Sequence, residues 1–444
     1  MHAIRDRKPA ELSVASAVER SAVRKVAVRL VPFVAVMFVI NFLDRTAISF
    51  AGPNGLTRDL AMTAAQFGLA AGIFFASYIL LGIPSNLALH RFGARRWLAS
   101  IMVSWGIVSL LFTWVRSLDQ LYVLRLLLGA TEAGFAPGAI MFLSLWVPAR
   151  HRARILGLFY ISQPLSIVIG APVASLLIGM DGAFGLAGWR LMFLGVALPA
   201  IIIGVVTWFY LVDSPKQARW LDAEEREWLA AELAAEDLAK AEGSGHRVGA
   251  VLGNPRIWVL AVIYFGLVYG LYALTFFLPT IINGFESQFG TRFDVFQKGL
   301  ITAIPYVPAM AALFLWSRFT RHGVQGWHIA LPALIGALSI PCALYMPSPG
   351  ATVAVITVTA SAIFAALPLF WTFPARMLGG AGAAVGIALI NTIGNGGGFA
   401  APYITGAMKD ATGSYVGSMF AVGGAMLLSA ILALVLGPRP GAAK

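Results

Sequence analysis

Charged residues are scarce in this sequence: Asp, Glu, Lys and Arg make up 12% of its 444 residues, whereas hydrophobic residues make up 59%. A soluble globular protein has about a quarter of its residues charged. The scarcity excludes a soluble globular domain, because too little charge is present to cover a surface that faces water. Most of the surface must face lipid, so the lipid bilayer is the first partner that the composition predicts.

Cysteine and histidine are also rare. The single cysteine, Cys342, has no partner within the chain, which excludes an intrachain disulfide. A membrane enzyme would need a metal or a nucleophile cluster, and the six histidines supply no ligand set inside the membrane. All of them lie at or beyond the ends of the apolar runs, at His2, His90, His151, His246, His322 and His328. The sequence therefore predicts no enzyme, no metal and no cofactor.

Twelve apolar runs are long enough to span a bilayer, which takes about 20 residues. They predict an all-α membrane protein with twelve transmembrane helices. The runs lie near residues 30–50, 66–89, 97–115, 121–146, 154–179, 189–211, 257–282, 296–317, 328–346, 351–373, 383–406 and 416–436.

One long polar segment, residues 213–256, divides the runs six and six. Its middle is rich in Ala, Glu and Leu, and this composition predicts a short surface helix that ends at Gly243. The predicted domains are a cytoplasmic N-terminal tail, a six-helix bundle, a cytoplasmic linker, a second six-helix bundle and a cytoplasmic tail. Their boundaries are 1–29, 30–212, 213–256, 257–436 and 437–444.

Lysine and arginine are distributed unevenly about these runs. With both termini in the cytoplasm, 24 of the 32 lie on the cytoplasmic side and six on the opposite side, while Arg45 and Arg125 lie inside runs. This asymmetry follows the positive-inside rule and predicts a multi-pass protein, expected in a bacterial inner membrane. It also explains the net charge of +12 without nucleic acid as a partner.

The two halves share short motifs at a fixed offset. The pattern Arg-x-Gly-x-x-x-Trp begins at Arg91 and again at Arg321, which is 230 residues later, and Pro172 maps onto Pro402 at the same offset. The matches fall at equivalent places in a six-plus-six plan. They predict two six-helix pseudo-repeats with a binding site between them, near the middle of the membrane.

Four charged residues lie well inside the predicted spans: Asp44, Arg45, Arg125 and Glu132. Such residues cost about 2.5–3.5 kcal/mol each on insertion scales. One interpretation is that they form two neutralising ion pairs that only hold the first span against the fourth. We favour a functional site, because an arginine that binds an anion, beside acids that take protons, is what a proton-coupled anion carrier needs.

The positions of these charges predict their partners. Arg125 and Glu132 are seven residues apart, so they share one helical face at about 10 Å separation along the axis. Arg125 and Asp44 start at similar depth from the outer helix ends and are predicted to pair. Glu132, two turns deeper, is predicted to compete with the substrate for Arg45.

Several motifs resemble one known family. "NFLDRTAISFAGP", "LRLLLGATEAGFAPG", "PLFWTFPARML" and "IALINTIGNGGGFAAPYI" are similar to the anion:cation symporter branch of the major facilitator superfamily, which includes bacterial carriers of hexuronates, galactonate, glucarate, tartrate and phthalate. The resemblance implies the major facilitator fold with inward-open and outward-open states. It also implies that Asp44 and Glu132 couple transport to protons and that Arg45 binds the substrate carboxylate.

The same resemblance implies a polar substrate shell, formed by Tyr78, Gln163, Trp371, Thr372 and Asn391. Alternatives stay open for three of them. Tyr78 is equally explained as a packing aromatic, and Gln163 as a partner for a carbonyl freed by the next residue, a proline. Asn391, one turn from a second asparagine, is also explained by a hydrogen bond between helices. The glycines that follow in "GNGGG" are interpreted as a close helix contact and not as a phosphate loop.

The function predicted from these residues is import of a small organic carboxylate with protons, by a monomer that works by alternating access. The carboxylate is a sugar acid, a dicarboxylate or an aromatic acid. Many sugar-acid carriers have tyrosine where this chain has Phe42, which favours a less hydroxylated acid. The alternatives are an anion exchanger or uniporter, a proton-driven efflux carrier of the same fold, and a solute sensor that does not transport.

Overall fold

The computed structural model describes residues 9–241, 253–320, 323–377 and 380–436, and these ranges are almost entirely helical. We number thirteen helical segments in chain order, α1 to α13. Some of them contain a short break. Their bounds are Pro9–Ala51, Ala64–Phe92, Ala94–Leu111, Leu118–Ser144, Ala149–Gly179, Gly188–Tyr210, Ala223–Ala241, Pro255–Asn283, Val295–Phe319, Gly326–Tyr345, Pro349–Ala375, Gly380–Thr412 and Val416–Leu436.

The twelve predicted spans correspond to every helix except α7. Within the described residues, eleven helices are long and apolar enough to cross a membrane, all but α7 and α12. The helix α12 has 33 residues, enough length for a crossing, but Asn391, Asn395 and a run of glycines lower its hydropathy. One boundary differs from the prediction: α1 starts at Pro9, so much of the predicted tail 1–29 continues the first helix. The predicted tail 437–444 lies outside the described residues.

The predicted surface helix of the linker is α7, whose last residue is Ala241. The predicted end at Gly243 lies outside the described residues. Ion pairs hold this region against the first half, and among them Lys25 Nζ lies 2.9 Å from Asp222 Oδ2 and 2.8 Å from Glu225 Oε2, Arg152 Nη2 lies 2.8 Å from Glu236 Oε2, and Arg150 Nη1 lies 2.5 Å from Glu232 Oε1. The linker helix is thus attached to the cytoplasmic ends predicted for α1 and α5. We call this the linker side of the bundle, and the opposite side the distal side.

The helix α4 is broken in the middle of the protein. Its first part ends at Glu132, and its second part starts at Phe135. Ala133 has extended backbone angles, and Gly134 has φ +84°, a value that favours glycine. A Cβ at Gly134 would also lie 2.2 Å from Ser85 Oγ of α2. The break leaves Glu132 at the end of a helix, and discontinuous helices of this kind form the binding sites of many transporters.

The two halves meet through α1 with α8, α2 with α12, and α5 with α9. At the distal end of the first pair, Asn283 Nδ2 donates to Pro53 O at 3.2 Å, and these residues are 230 positions apart. That separation equals the sequence offset between the pseudo-repeats. Equivalent points of the two halves therefore face each other at the distal side.

Candidate functional site

The buried ion pair between Arg45 and Glu132 forms the centre of the candidate site. Arg45 Nη2 lies 3.0 Å and Nε 3.2 Å from the same carboxylate oxygen, Glu132 Oε2. Arg45 is 5% exposed and Glu132 is fully buried. The pairing predicted from helix depth is therefore present. Glu132 Oε1 is buried and has no hydrogen-bond partner among the described residues.

Asn41 belongs to the same cluster and was not singled out in the sequence. It lies one helical turn before Arg45 on α1, and its Nδ2 donates to Glu132 Oε2 at 2.9 Å. Arg45 Nη2 also approaches Asn41 Oδ1 at 3.4 Å. The amide bridges the two charges, because it offers a donor to the acid and an acceptor to the base. Its spacing of four residues from Arg45 is the signal that could have identified it.

The guanidinium of Arg45 also contacts the second half of the protein. Its Nη1 donates to Tyr272 Oη on α8 at 3.1 Å. Its Cζ lies 4.7 Å from the ring centroid of Tyr78 and 4.9 Å from that of Phe74. Arginine over aromatic rings is a favourable electrostatic arrangement. Tyr78 thus packs directly on the predicted anion-binding arginine, while Tyr272 is a further contact that the sequence analysis missed.

The predicted pair of Arg125 with Asp44 is wrong. Arg125 donates to three backbone carbonyls: Nε to Ala70 O at 2.8 Å, Nη2 to Ala71 O at 2.8 Å, and Nη1 to Arg45 O at 3.3 Å. A planar guanidinium with five N–H donors can link several helices in this way. Arg125 therefore ties α4 to α2 and α1 through their backbones.

Asp44 has a different environment from the one predicted. Its Oδ1 accepts a hydrogen bond from the hydroxyl of Ser109 on α3. Its Oδ2 is buried and has no hydrogen-bond partner in the part of the chain that the structure describes. The carboxyl group is 1% exposed. It lies beside the Arg45 cluster in sequence but is held by a separate helix.

The remaining predicted shell residues form a second group on α11 and α12. Trp371 is half-buried where α11 breaks, and its ring packs edge-on against Tyr264 of α8 at 4.8 Å. The Thr372 hydroxyl donates to Leu369 O at 2.7 Å. Asn395 Nδ2 donates to both oxygens of Asn391, at 2.8 and 3.0 Å, so this asparagine pair lies within one helix and not between helices.

The "GNGGG" glycines make close helix contacts, in agreement with their interpretation. A Cβ at Gly394 would lie 2.0 Å from the ring of Tyr264, and one at Gly398 would lie 2.6 Å from the ring of Phe75. Gln163, predicted with the shell, is half-buried on α5 just after the irregular residue Ile161. Among the described residues, the hydrogen-bond and ring partners of Arg45 are Glu132, Asn41, Tyr272, Tyr78 and Phe74. Gln163, Trp371 and Asn391 are not among them.

All four membrane-interior charges belong to the first half, on α1 and α4. The second half faces them with tyrosines and amides, and no charged residue occurs between positions 257 and 285 or between 328 and 375 of the sequence. The site is therefore ionic on one side and neutral on the other.

In the part of the chain that the structure describes, eleven apolar helices and the long helix α12 form a bundle whose halves meet beside a buried ionic cluster, an architecture typical of membrane transporters. Residues 34–402 match the family model of the Major Facilitator Superfamily. The chain belongs to this superfamily, which confirms the predicted family and fold. It is a multi-pass integral membrane protein that transports small organic solutes and is not an enzyme.

The protein is similar to several bacterial transporters. It is 43% identical over 424 residues to a protein of Agrobacterium vitis named "Putative tartrate transporter", covering 95% of this chain and 93% of that one. It is 36% identical over 420 residues to the "Quinolone resistance transporter" of Acinetobacter baumannii, covering 94% and 95% of the two chains. These relatives are consistent with the organic-anion branch.

A solved structure has the same fold at low sequence identity. The bacterial homologue of the human lysosomal transporter Spinster superposes with a TM-score of 0.72 at 19% identity. The match covers 93% of this chain and 97% of that one. It supports the overall architecture.

Proposed function

We propose that the protein imports a small organic carboxylate together with protons, by alternating access. The observation that carries the proposal is the buried ion pair of Arg45 with Glu132, in contact with Tyr272 of the opposite half. Because Arg45 is already paired with Glu132, it can bind a substrate anion only when this ion pair breaks. Protonation of Glu132 is the change that releases it.

Arg45 suits a carboxylate by geometry. A guanidinium is always charged and binds a carboxylate through two parallel N–H donors. Two of its nitrogens, Nε and Nη2, are now directed at a single oxygen of Glu132. A substrate carboxylate would take over these two donors. Arg45 would then keep its ring contacts with Tyr78 and Phe74 and its hydrogen bond to Tyr272.

Glu132 suits the role of proton carrier for the same transport step. When it is protonated, it no longer neutralises Arg45, and the site gains affinity for an anion. When it loses its proton on the cytoplasmic side, it pairs with Arg45 again and displaces the substrate. Proton and anion then bind with positive coupling, which is typically about 1–3 kcal/mol in linked systems.

Asp44 is proposed as a second proton site. A carboxyl group that is buried with an unpartnered oxygen is costly to hold as an anion, and Asp44 Oδ2 is such an atom among the described residues. Arg125, which donates three hydrogen bonds to backbone carbonyls, acts as a fixed positive charge near the two acids. We propose that it tunes them without binding substrate.

The neutral part of the substrate is proposed to lie against the second half. Trp371, Thr372 and Asn391 offer a ring face and hydrogen-bonding groups on that half, with Tyr78 and Gln163 on the first half. The orientation follows the positive-inside asymmetry: the linker side is cytoplasmic, the distal side is periplasmic, and the protein works as a monomer in a bacterial inner membrane.

Uptake into proteoliposomes tests the proposal. Tartrate is the first probe, because a relative at 43% identity is named as a tartrate transporter. We expect an inward proton gradient to drive accumulation of the acid above its outside concentration, and a protonophore to abolish it. Counterflow without gradient-driven accumulation would show an exchanger or uniporter. Failure of a panel of mono- and dicarboxylates to enter would reject the substrate class.

Efflux is the second candidate, because one relative is named for quinolone resistance. Quinolones carry a carboxylate, so Arg45 would serve such a cargo as well. The direction of transport separates the two functions. A proton-driven efflux carrier would accumulate substrate in vesicles when the lumen is acidic, and an importer would accumulate it when the outside is acidic.

A further inference from the structure

We propose that Asp410 is a latch that holds the distal side closed, by capping the N-terminus of α2 across the interface between the halves. This device goes beyond the proposed function, because it would act on any cargo. Asp410 lies in the last turn of α12, in the second half, and α2 belongs to the first half.

The start of α2 has its free N–H groups satisfied from two sources. Thr63 and Gln66 form a capping box, in which Thr63 N donates to Gln66 Oε1 at 2.9 Å and Gln66 N donates to Thr63 Oγ1 at 3.2 Å. The two N–H groups between them bind Asp410: Ala64 N donates to Oδ1 at 3.0 Å and Ala65 N to Oδ2 at 2.8 Å. Half of this helix cap is therefore supplied by the other half of the protein.

The electrostatics favour this contact over any role of Asp410 within its own helix. An acid in the last turn of a helix faces the negative end of the helix dipole, which is unfavourable. An acid at a helix N-terminus faces the positive end, which is favourable. Asp410 occupies both positions at once, at the end of α12 and at the start of α2. The contact with α2 offsets the cost of its place in α12.

The backbones of α2 and α12 are also in direct contact just below the cap. A Cβ at Gly68 would lie 2.2 Å from Pro402 O, and one at Gly406 would lie 2.1 Å from Ala64 O. Only glycine, which lacks a Cβ, allows the two backbones to approach this closely. The two helices are therefore in direct backbone contact at this level. Opening of the distal side requires these helices to separate. Separation leaves Ala64 N and Ala65 N without Asp410.

Distance measurements by double electron–electron resonance test the latch. Spin labels are placed at Phe184 and Tyr345, which are 88% and 66% exposed at the distal ends of the two halves. The exposed Cys342 is replaced by serine. We expect Asp410→Ala to lower the ratio of closed to open distal side by about fivefold, the effect of a typical lost cap. Asp410→Asn keeps one acceptor oxygen and should give a smaller shift.

Asp59→Asn is the matched control. Asp59 is also an acid on the distal side, but its partners Trp189 and Arg58 belong to its own half. Its substitution should leave the distances unchanged. A second variant, Gly406→Ala, should shift the distances towards open by forcing the helices apart.

The latch is rejected if Asp410→Ala keeps the wild-type distance distribution in protein that remains monodisperse. It is also rejected if Gly406→Ala opens the distal side and Asp410→Ala does not, because closure would then be steric. The measurement needs no substrate. Its outcome is therefore separate from the outcome of the transport assay.

Discussion

Replacement of Glu132 by glutamine is the sharpest test of how the site works. The amide keeps the shape of the side chain and can still accept hydrogen bonds from Asn41 and Arg45, but it carries no charge and binds no proton. It therefore imitates the protonated acid at every pH. We expect Glu132→Gln to bind substrate with an affinity that hardly changes with pH.

The size of the effect follows from the contacts. Arg45 gives two hydrogen bonds to Glu132 Oε2, at 3.0 and 3.2 Å, and bonds to charged groups contribute about 1.5–3 kcal/mol each. A substrate carboxylate forms two similar hydrogen bonds in their place. The net change in binding free energy is therefore only the difference between the two sets, about 1–3 kcal/mol. In the wild type, affinity should therefore weaken by about 5- to 150-fold as pH rises and Glu132 loses its proton. The glutamine variant should keep, at every pH, an affinity close to that of the wild type with protonated Glu132.

Binding of radiolabelled tartrate to detergent-purified protein, from mildly acidic to mildly alkaline pH, measures this dependence. Asp44→Asn is the control, because it removes the neighbouring acid and leaves the Arg45 pair intact. A wild-type pH dependence in Glu132→Gln, together with a flat one in Asp44→Asn, would refute the reasoning and assign the switch to Asp44.

Four further substitutions extend the test. Arg45→Lys should lose nearly all substrate binding while the protein still folds, because an ammonium cannot bind a carboxylate bidentately; equilibrium binding at unchanged affinity would remove Arg45 from the site. Asp44→Asn should abolish gradient-driven uptake and keep counterflow, since exchange needs no net proton movement; full uphill uptake in proteoliposomes would exclude it as a coupling acid. Arg125→Lys should lower the melting temperature, because an ammonium cannot reach three carbonyls on two helices; an unchanged thermal unfolding curve would contradict the structural role. Tyr272→Phe removes one hydrogen bond from the charged Arg45 between the halves, worth about 1.5–3 kcal/mol, and should alter the rate of substrate exchange more than the melting temperature; the reverse pattern would make it a packing residue.

The helices could be predicted from sequence because the bilayer imposes length and hydropathy on each span. The α12 helix shows the limit of this signal, since its asparagines and glycines serve contacts with neighbouring helices. The start of α1 was placed too late for a related reason. Its N-terminal extension is polar and packs on the linker helix, so no apolar run marks it.

The charged cluster was predictable only in part. The Arg45–Glu132 pair could be expected because both charges are buried and must find partners. The partners of Arg125 could not, because backbone carbonyls are present at every position and give no sequence signal. Tyr272 was missed for another reason: it lies 227 residues from Arg45, and an aromatic residue in a membrane helix is ordinary. Asp410 could not be identified from sequence either, because an acid near the end of a predicted span is ordinary and its partner, the start of α2, is distant in sequence.

The restriction of all membrane-interior charge to the first half has a consequence for engineering. Under the proposed function, the coupling acids and the carboxylate-binding Arg45 lie in the first half, whereas Trp371, Thr372 and Asn391 of the substrate shell lie in the second. The part of the site that contacts the rest of the cargo can then be exchanged without the coupling acids. A chimera that keeps α1–α6 and takes α8–α13 from a relative with another cargo should remain proton-driven and acquire the donor's preference. The neutral half is thus the natural target for changing what is carried, and the ionic half for changing what drives it.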